Sequence, residues 1–234
     1  MTTALATAID RVRTAGPVPA KPMRAFRETT PRSETAGVGI AGQVLNFVQD
    51  SEIYAECEEV QSFYKVVSGV VRTCKFLSDG RRQIEGFHAA GDIFGLELGV
   101  AHNLSAEAVS DCTVVAYRWR GIQHMVAQSE QLAPQVFNFA MQCLERAQHH
   151  ALLLGRRSAA QRVAAFLLGM AGRDGDETVV QLAMTRQDIA DYLGLTIETV
   201  SRTLSQFERD GLIALSSTRH LVLLDAHALK ALND

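Results

Sequence analysis

Between residues 185 and 209 the chain reads TRQDIADYLGLTIETVSRTLSQFER, and its capping residues, apolar spacing and one glycine leave little choice of local fold. Thr185 carries a hydroxyl able to accept from the first unpaired amides of a helix, and Asp188 follows three residues later near the positive helix end. Ile189 and Leu193 recur four apart on one face. Gly194 tolerates the left-handed backbone of a helix terminus, Leu195 plugs the turn, and Thr196 opens a second helix whose inner face is Val200, Leu204 and Phe207. Ala190 is small where the two helices come closest. The pattern predicts a helix-turn-helix.

That arrangement leaves Ile197, Glu198, Ser201 and Arg202 outward at the start of the second helix, the end that enters a DNA major groove in this motif. Arg202 offers two donors matched to guanine O6 and N7, Glu198 accepts from cytosine N4, and Ser201 adapts to adenine or thymine edges. These three are the expected base-reading residues. Thr185, Arg186, Thr196, Thr199, Ser205 and Arg219 are expected to meet phosphates or to support the reader. A plainer alternative makes Glu198 and Arg202, four apart, a solvated helix pair contributing about 0.2–0.5 kcal/mol.

The length of 234 residues and a 47% hydrophobic content suffice for two packed domains. A net charge of −3 and a pI near 6.2 do not advertise a nucleic-acid binder, yet an acidic N-terminal domain hides a local basic patch in the total. No apolar run of about 18 residues occurs, so no membrane span is expected. The basic N-terminal stretch (Arg11, Arg13, Lys21, Arg24, Arg27) lacks an apolar signal core, and the expected location is the cytoplasm.

From about residue 40 to 119 short apolar stretches alternate with glycine turns. Residues 66–77 and 83–87 have strand composition, Ser78-Asp79-Gly80 is a hairpin signal, and Gly69, Gly80 and Gly91 recur at intervals of eleven. Residues 128–155 then predict a long helix with Pro134 in its first turn. Its seam is Leu132, Val136, Phe139, Cys143, Ala147, His150 and Leu154. The seam packs either on its own β-domain or on a second copy; the second, a parallel homodimer, is the expectation, with His149 and His150 solvated or at the interface. Arg156-Arg157 reads as a hinge, 159–170 as a helix, Asp174-Gly175-Asp176 as a turn, and 212–224 as a β-wing tipped by Ser216 to Arg219. The fold class is therefore α+β. Residues 1–35 are expected to form a flexible arm, 36–127 an antiparallel β-roll, 128–157 a dimerisation helix and 158–234 a winged helix-turn-helix.

Residues 198–202 (ETVSR), within DYLGLTIETVSRTLSQ, resemble the DNA-binding helices of the CRP/FNR family of bacterial transcription regulators, and GFHAAGDIFG (86–95) resembles the jelly-roll sensor domain of the same family. The resemblance covers the chain from about residue 40 onward. It implies double-stranded DNA as partner, an FNR-like half-site and a palindrome of the type TTGA-N6-TCAA, since Ile197 and Ser201 replace an arginine and a glycine of the cAMP-receptor branch. It also implies contact with RNA polymerase, a surface that the 78–82 loop resembles. In cAMP-binding members a glutamate and an Arg-Ser pair hold the nucleotide; Leu96 and Leu104-Ser105 occupy those positions here. Without a guanidinium the phosphate loses its charge-assisted partner, so cAMP is not expected, although Glu97 lies one residue from the lost glutamate.

Cys57, Cys74, Cys112 and Cys143 lack the short spacing of cluster ligands, and none precedes residue 57, so no iron–sulfur cluster is expected. His88, His102 and Cys74 are weak haem candidates, and His88 is more simply read as a hydrogen-bonded turn residue. No cofactor is expected. RTCKFLSDGRRQIEGF (72–87) and DYLGLTIETVSRTLSQ (191–206) resemble the FixK-type branch, which lacks the N-terminal cysteines; the resemblance implies an activator of microaerobic respiration and nitrogen-fixation genes, controlled through its amount. The alternative is a regulator of the same family that responds to a cyclic nucleotide, haem or an iron–sulfur cluster. The chain carries no nucleophile elbow, phosphate loop or zinc pair, and no enzyme is expected.

Overall fold

The structure, a computed structural model, describes residues 33–36, 40–97, 99–118, 132–155, 158–171 and 178–232; the side chains of 33–36, 40, 41, 132, 133, 135 and 136 lie outside it. The hinge at Arg156-Arg157, the turn at 174–176, the start of the long helix at 128–131 and the arm up to residue 32 lie outside the described residues. Among the described residues, no helix is long and apolar enough to cross a membrane.

Among the described residues, nine strands precede the long helix: β1 (Ser33–Ala36), β2 (Ile40–Phe47), β3 (Glu52–Tyr54), β4 (Ser62–Ser68), β5 (Val71–Phe76), β6 (Arg82–His88), β7 (Ile93–Phe94), β8 (Ser105–Ala108) and β9 (Cys112–Arg118). They pair antiparallel in two sheets, ordered β1-β2-β9-β4-β7 and β3-β8-β5-β6. Residues of both sheets meet in one core, with Tyr54, Val71 and Ala106 from the second and Val66, Phe94 and Val114 from the first. Alternation of inward apolar and outward polar residues along each strand is what makes two such sheets close on each other. β1, whose residues 33–35 are counted with the arm on sequence, pairs with β2 from Ser33 opposite Gln43 to Ala36 opposite Ile40.

The stretch 66–77 is not one strand. The chain leaves β4 after Ser68, turns at Gly69 with φ +82°, and enters β5 in the other sheet. Only glycine suits that corner: besides the positive φ, an added Cβ would lie 2.6 Å from the Cβ of Cys112. An uninterrupted apolar run hides such a change of sheet, because both halves have the same composition. The hairpin between β5 and β6 turns at 78–80 as expected, with the Gly80 amide donating to the Leu77 carbonyl at 2.9 Å.

Helix α1 (Leu132–Leu154) is followed by α2 (Ala159–Met170), which opens with a capping box. The Gln161 amide donates to the Ser158 hydroxyl and the Ser158 amide to the Gln161 side chain, both at 3.2 Å. β10 (Val179–Gln181), α3 (Arg186–Leu193), α4 (Ile197–Arg209), β11 (Ile213–Leu215) and β12 (His220–Leu223) complete a winged helix-turn-helix, its small sheet ordered β10-β12-β11. A last short helix, α5 (Ala226–Ala231), was not legible in the sequence; Asp225 caps it and Leu229 is fully buried beneath it. Val163, Leu167, Ile189, Leu193, Val200, Leu204, Phe207 and Leu221 form the core of this domain. Each such side chain contributes roughly 1.5–3 kcal/mol by burial. Ile84 and Phe87 of β6 belong to the same cluster, so the β-roll packs directly on the helix-turn-helix.

Candidate nucleic-acid interface

Local chemistry fixes the two helices. Thr185 caps α3: its hydroxyl accepts from the Asp188 amide at 3.1 Å, and the Asp188 carboxylate accepts from the Thr185 amide at 2.9 Å. Gly194 ends the helix in the left-handed region with φ 62° and ψ 42°. The Arg162 guanidinium, arriving from α2, donates to the terminal carbonyls of Leu193 at 3.1 Å and Gly194 at 3.3 Å and so pins the turn. Thr196 then caps α4 through the Thr199 amide at 3.3 Å. Val200, Leu204 and Phe207 are buried beneath that helix.

Burial of that face turns Ile197, Glu198, Ser201, Arg202 and Ser205 outward together, and all five are exposed. The Glu198 carboxylate is held below its usual range by its own backbone amide and by the Thr196 hydroxyl, with the Arg202 charge the smallest of these influences. It is therefore ionised and purely an acceptor at neutral pH, the state that cytosine N4 requires. Thr185 and Thr196 are occupied as caps, and Thr199 shares a 3.1 Å hydroxyl contact with Thr196, so these three support the helices. Arg186 is half-buried, and one of its guanidinium nitrogens has no partner among the described residues. Arg219 sits exposed at the wing tip with Ser216, Ser217 and Thr218.

The long helix departs from its sequence reading. Phe139 and Cys143 line a cavity of about 290 Å³ in the β-roll, and His150 is buried, its Nε2 2.9 Å from the Tyr192 carbonyl and its ring stacked on Tyr192 at 4.2 Å. Leu154 is half-buried and Ala147 exposed, while the side chains of Leu132 and Val136 lie outside the described residues. Phe139, Cys143 and His150 thus face their own chain. Phe137, Met141, Leu144 and Leu152 carry the exposed apolar surface instead, at 64%, 47%, 49% and 68% exposure. That stripe lies about a third of a turn round the helix from the expected seam. Phe137, Met141 and Leu144 recur at four and three residues as the seam does, and periodicity alone does not say which face the β-roll covers.

Leu96 and Leu104 also line the 290 Å³ cavity. Glu97 is fully engaged: one carboxylate oxygen is 3.0 Å from His102 Nδ1, and the other accepts from the Asn103 amide at 2.7 Å and side chain at 2.6 Å. Arg146, the cavity's guanidinium, is paired with Asp92 at 2.9 Å. His102 stacks on Tyr54 at 3.7 Å, and His88 Nε2 is 3.0 Å from the Thr73 hydroxyl. Burial pushes the Cys74 and Cys112 core thiols up to about 11 and raises that of the half-buried Cys143, so none of the three is a ready thiolate.

A model of the Crp-like helix-turn-helix domain matches residues 161–232, and one of the cyclic nucleotide-binding domain matches residues 44–129. The nitrogen fixation regulation protein FixK of Azorhizobium caulinodans is 46% identical over 201 residues, spanning 84% of this chain and 81% of that protein. The chain belongs to the CRP/FNR family, in its FixK-type branch. FixK of Rhizobium meliloti is 39% identical over 189 residues, 81% of this chain and 86% of that protein. The solved structure of FixK2 from Bradyrhizobium japonicum, at 42% identity, superposes with a TM-score of 0.78 over 82% of this chain and 98% of its own. This FixK-type chain is accordingly a DNA-binding transcription regulator and not an enzyme.

Proposed function

We propose that this regulator works as a cytoplasmic homodimer on TTGA-N6-TCAA-type palindromes, needs no bound effector, and activates microaerobic respiration and nitrogen-fixation genes. The observation that carries the reading is the exposed Glu198, Ser201 and Arg202 face at the start of α4, with Glu198 ionised. Inserted into a major groove, Arg202 donates to guanine, Glu198 accepts from cytosine, and Ser201 meets an adenine or thymine edge. Arg186, Ser205 and Arg219 meet phosphates around them, which makes affinity fall steeply with salt.

The dimer forms along α1 through Phe137, Met141, Leu144, Gln148 and Ala151, which recur at four, three, four and three residues, with Leu152 at the margin. All six are exposed in the single chain. Two readers related by a two-fold axis match half-sites about 34–36 Å apart. Independence from an effector is supported by Leu96 and Leu104 in the cavity wall, by the engaged Glu97 and by the buried thiols. The 290 Å³ cavity itself is what favours the second reading, a ligand-responsive regulator. Contact with RNA polymerase falls to the β5–β6 hairpin, whose tip carries an exposed Asp79–Arg81 pair at 2.7 Å beside exposed Phe76 and Leu77. The names of the FixK relatives, nitrogen fixation regulation proteins, support nitrogen-fixation genes among the targets.

Replacing Arg202 by Ala is expected to relax discrimination at one G·C pair by about 1–3 kcal/mol while leaving the dimer intact. Competition between duplexes that differ only at that pair measures this. Unchanged discrimination removes Arg202 from the reader.

A further inference from the structure

Beyond the reader itself, the β-roll and α3 are joined by an ion cluster. Asp188, 1% exposed, uses one carboxylate oxygen in the α3 capping box and turns the other to two arginines of adjacent strands. Arg72 of β5 reaches it at 3.2 Å, and Arg82 of β6 makes a short hydrogen bond to it. Arg82 also donates from Nε to Asp191 at 2.9 Å, and Arg72 from Nε to Glu107 at 2.7 Å. Gln187 holds the second Asp191 oxygen at 2.6 Å. None of this contributes to the exposed face that meets DNA.

Two features give the cluster a role beyond cohesion. Asp188 and Asp191 are three residues apart on α3, so the attachment is made at two points along one helix face and opposes rotation of the helix as well as its departure. Guanidinium forks are planar and directional, and Arg82 spans both carboxylates with one group, a geometry that a point charge does not reproduce. The tilted contact of Phe87 with Tyr192, at 5.4 Å between ring centres, adds apolar adhesion without comparable direction.

We propose that Arg72 and Arg82 are positioning residues for base reading: acting through Asp188 and Asp191, they hold the helix-turn-helix in one orientation on the β-roll and so set the separation of the two readers in a dimer. The inference rests on the palindrome reading above. A single half-site needs one reader in any orientation, whereas a palindrome needs two at a fixed separation. Loosening the attachment therefore relaxes the choice of spacer and leaves base choice within a half-site alone.

The test compares the full-length protein with its Arg82→Lys and Asp191→Asn variants. The duplexes carry one TTGA half-site, the palindrome with its six-base-pair spacer, or the palindrome with a lengthened spacer. Asp191→Asn leaves Asp188, the α3 cap and the Arg72 pair in place, so it serves if Arg82→Lys fails to fold. The expected result is that the penalty for a lengthened spacer shrinks by about tenfold in either variant, with half-site base preference unchanged. A purely cohesive role predicts equal losses on every duplex, and that result, or a full spacer penalty in both variants, overturns the proposal. Indifference to spacer in the unaltered protein overturns the palindrome reading itself.

Discussion

Asp188→Ala is expected to destabilise the helix-turn-helix by about 3–5 kcal/mol, because it removes a fully buried carboxylate shared by two largely buried guanidinium groups and leaves them only Glu107 in common. Arg72 is 9% exposed along its side chain and Arg82 17%, so water replaces the lost partner poorly. The same substitution removes the side chain that accepts from the Thr185 amide, a loss of order 1 kcal/mol, included in that range. Thermal unfolding followed by circular dichroism reads the effect as a lower Tm, about 2–4 °C for each kcal/mol in a protein of this size. Asp188→Asn keeps an acceptor for the amide and loses the charge, and its Tm should fall between the two. Melting of Asp188→Ala at the temperature of the unaltered protein would contradict a buried attachment at this residue.

Charged residues on the outer stripe of α1 are expected to break the dimer. With Met141 and Leu144 both changed to Glu, like charges face each other across a coiled seam. The protein should sediment as a monomer, and affinity for the palindrome should fall by roughly 100-fold or more as the second reader loses its tether. Phe139→Ser and Cys143→Ser, on the inward face, should lower Tm and leave the protein dimeric. Monomers from the inward variants, with dimers persisting in the outward one, would return the interface to the seam first read from sequence.

The helix-turn-helix was legible almost residue by residue, because each determinant is local: Thr185 and Thr196 cap within three residues, Gly194 takes its positive φ, and Val200, Leu204 and Phe207 mark one face. The face of α1 was not legible, because two apolar stripes share the helix and only the β-roll decides which is covered. The change of sheet at Gly69 was hidden for a similar reason, although that glycine was noticed as part of a repeat.

The ion cluster was missed altogether. Arg82 and Asp188 are 106 residues apart, and Arg82 closes a hairpin that otherwise reads as an exposed tip. A signal was available in hindsight: the tip needs only Asp79 and Arg81 to pair with each other, which leaves Arg82 to seek partners elsewhere. Asp188 reads as a cap, and nothing in its neighbourhood along the chain indicates that its other oxygen serves a second domain.

The most direct test of an effector-independent regulator is binding of the purified, metal-free protein in air to a TTGA/TCAA palindrome, with and without cAMP, at one stated salt concentration. The account predicts tight binding with no additive, unchanged by cAMP and weakened by salt. Binding that appears only after cAMP, reduction or iron reconstitution would contradict it and make the β-roll a sensor.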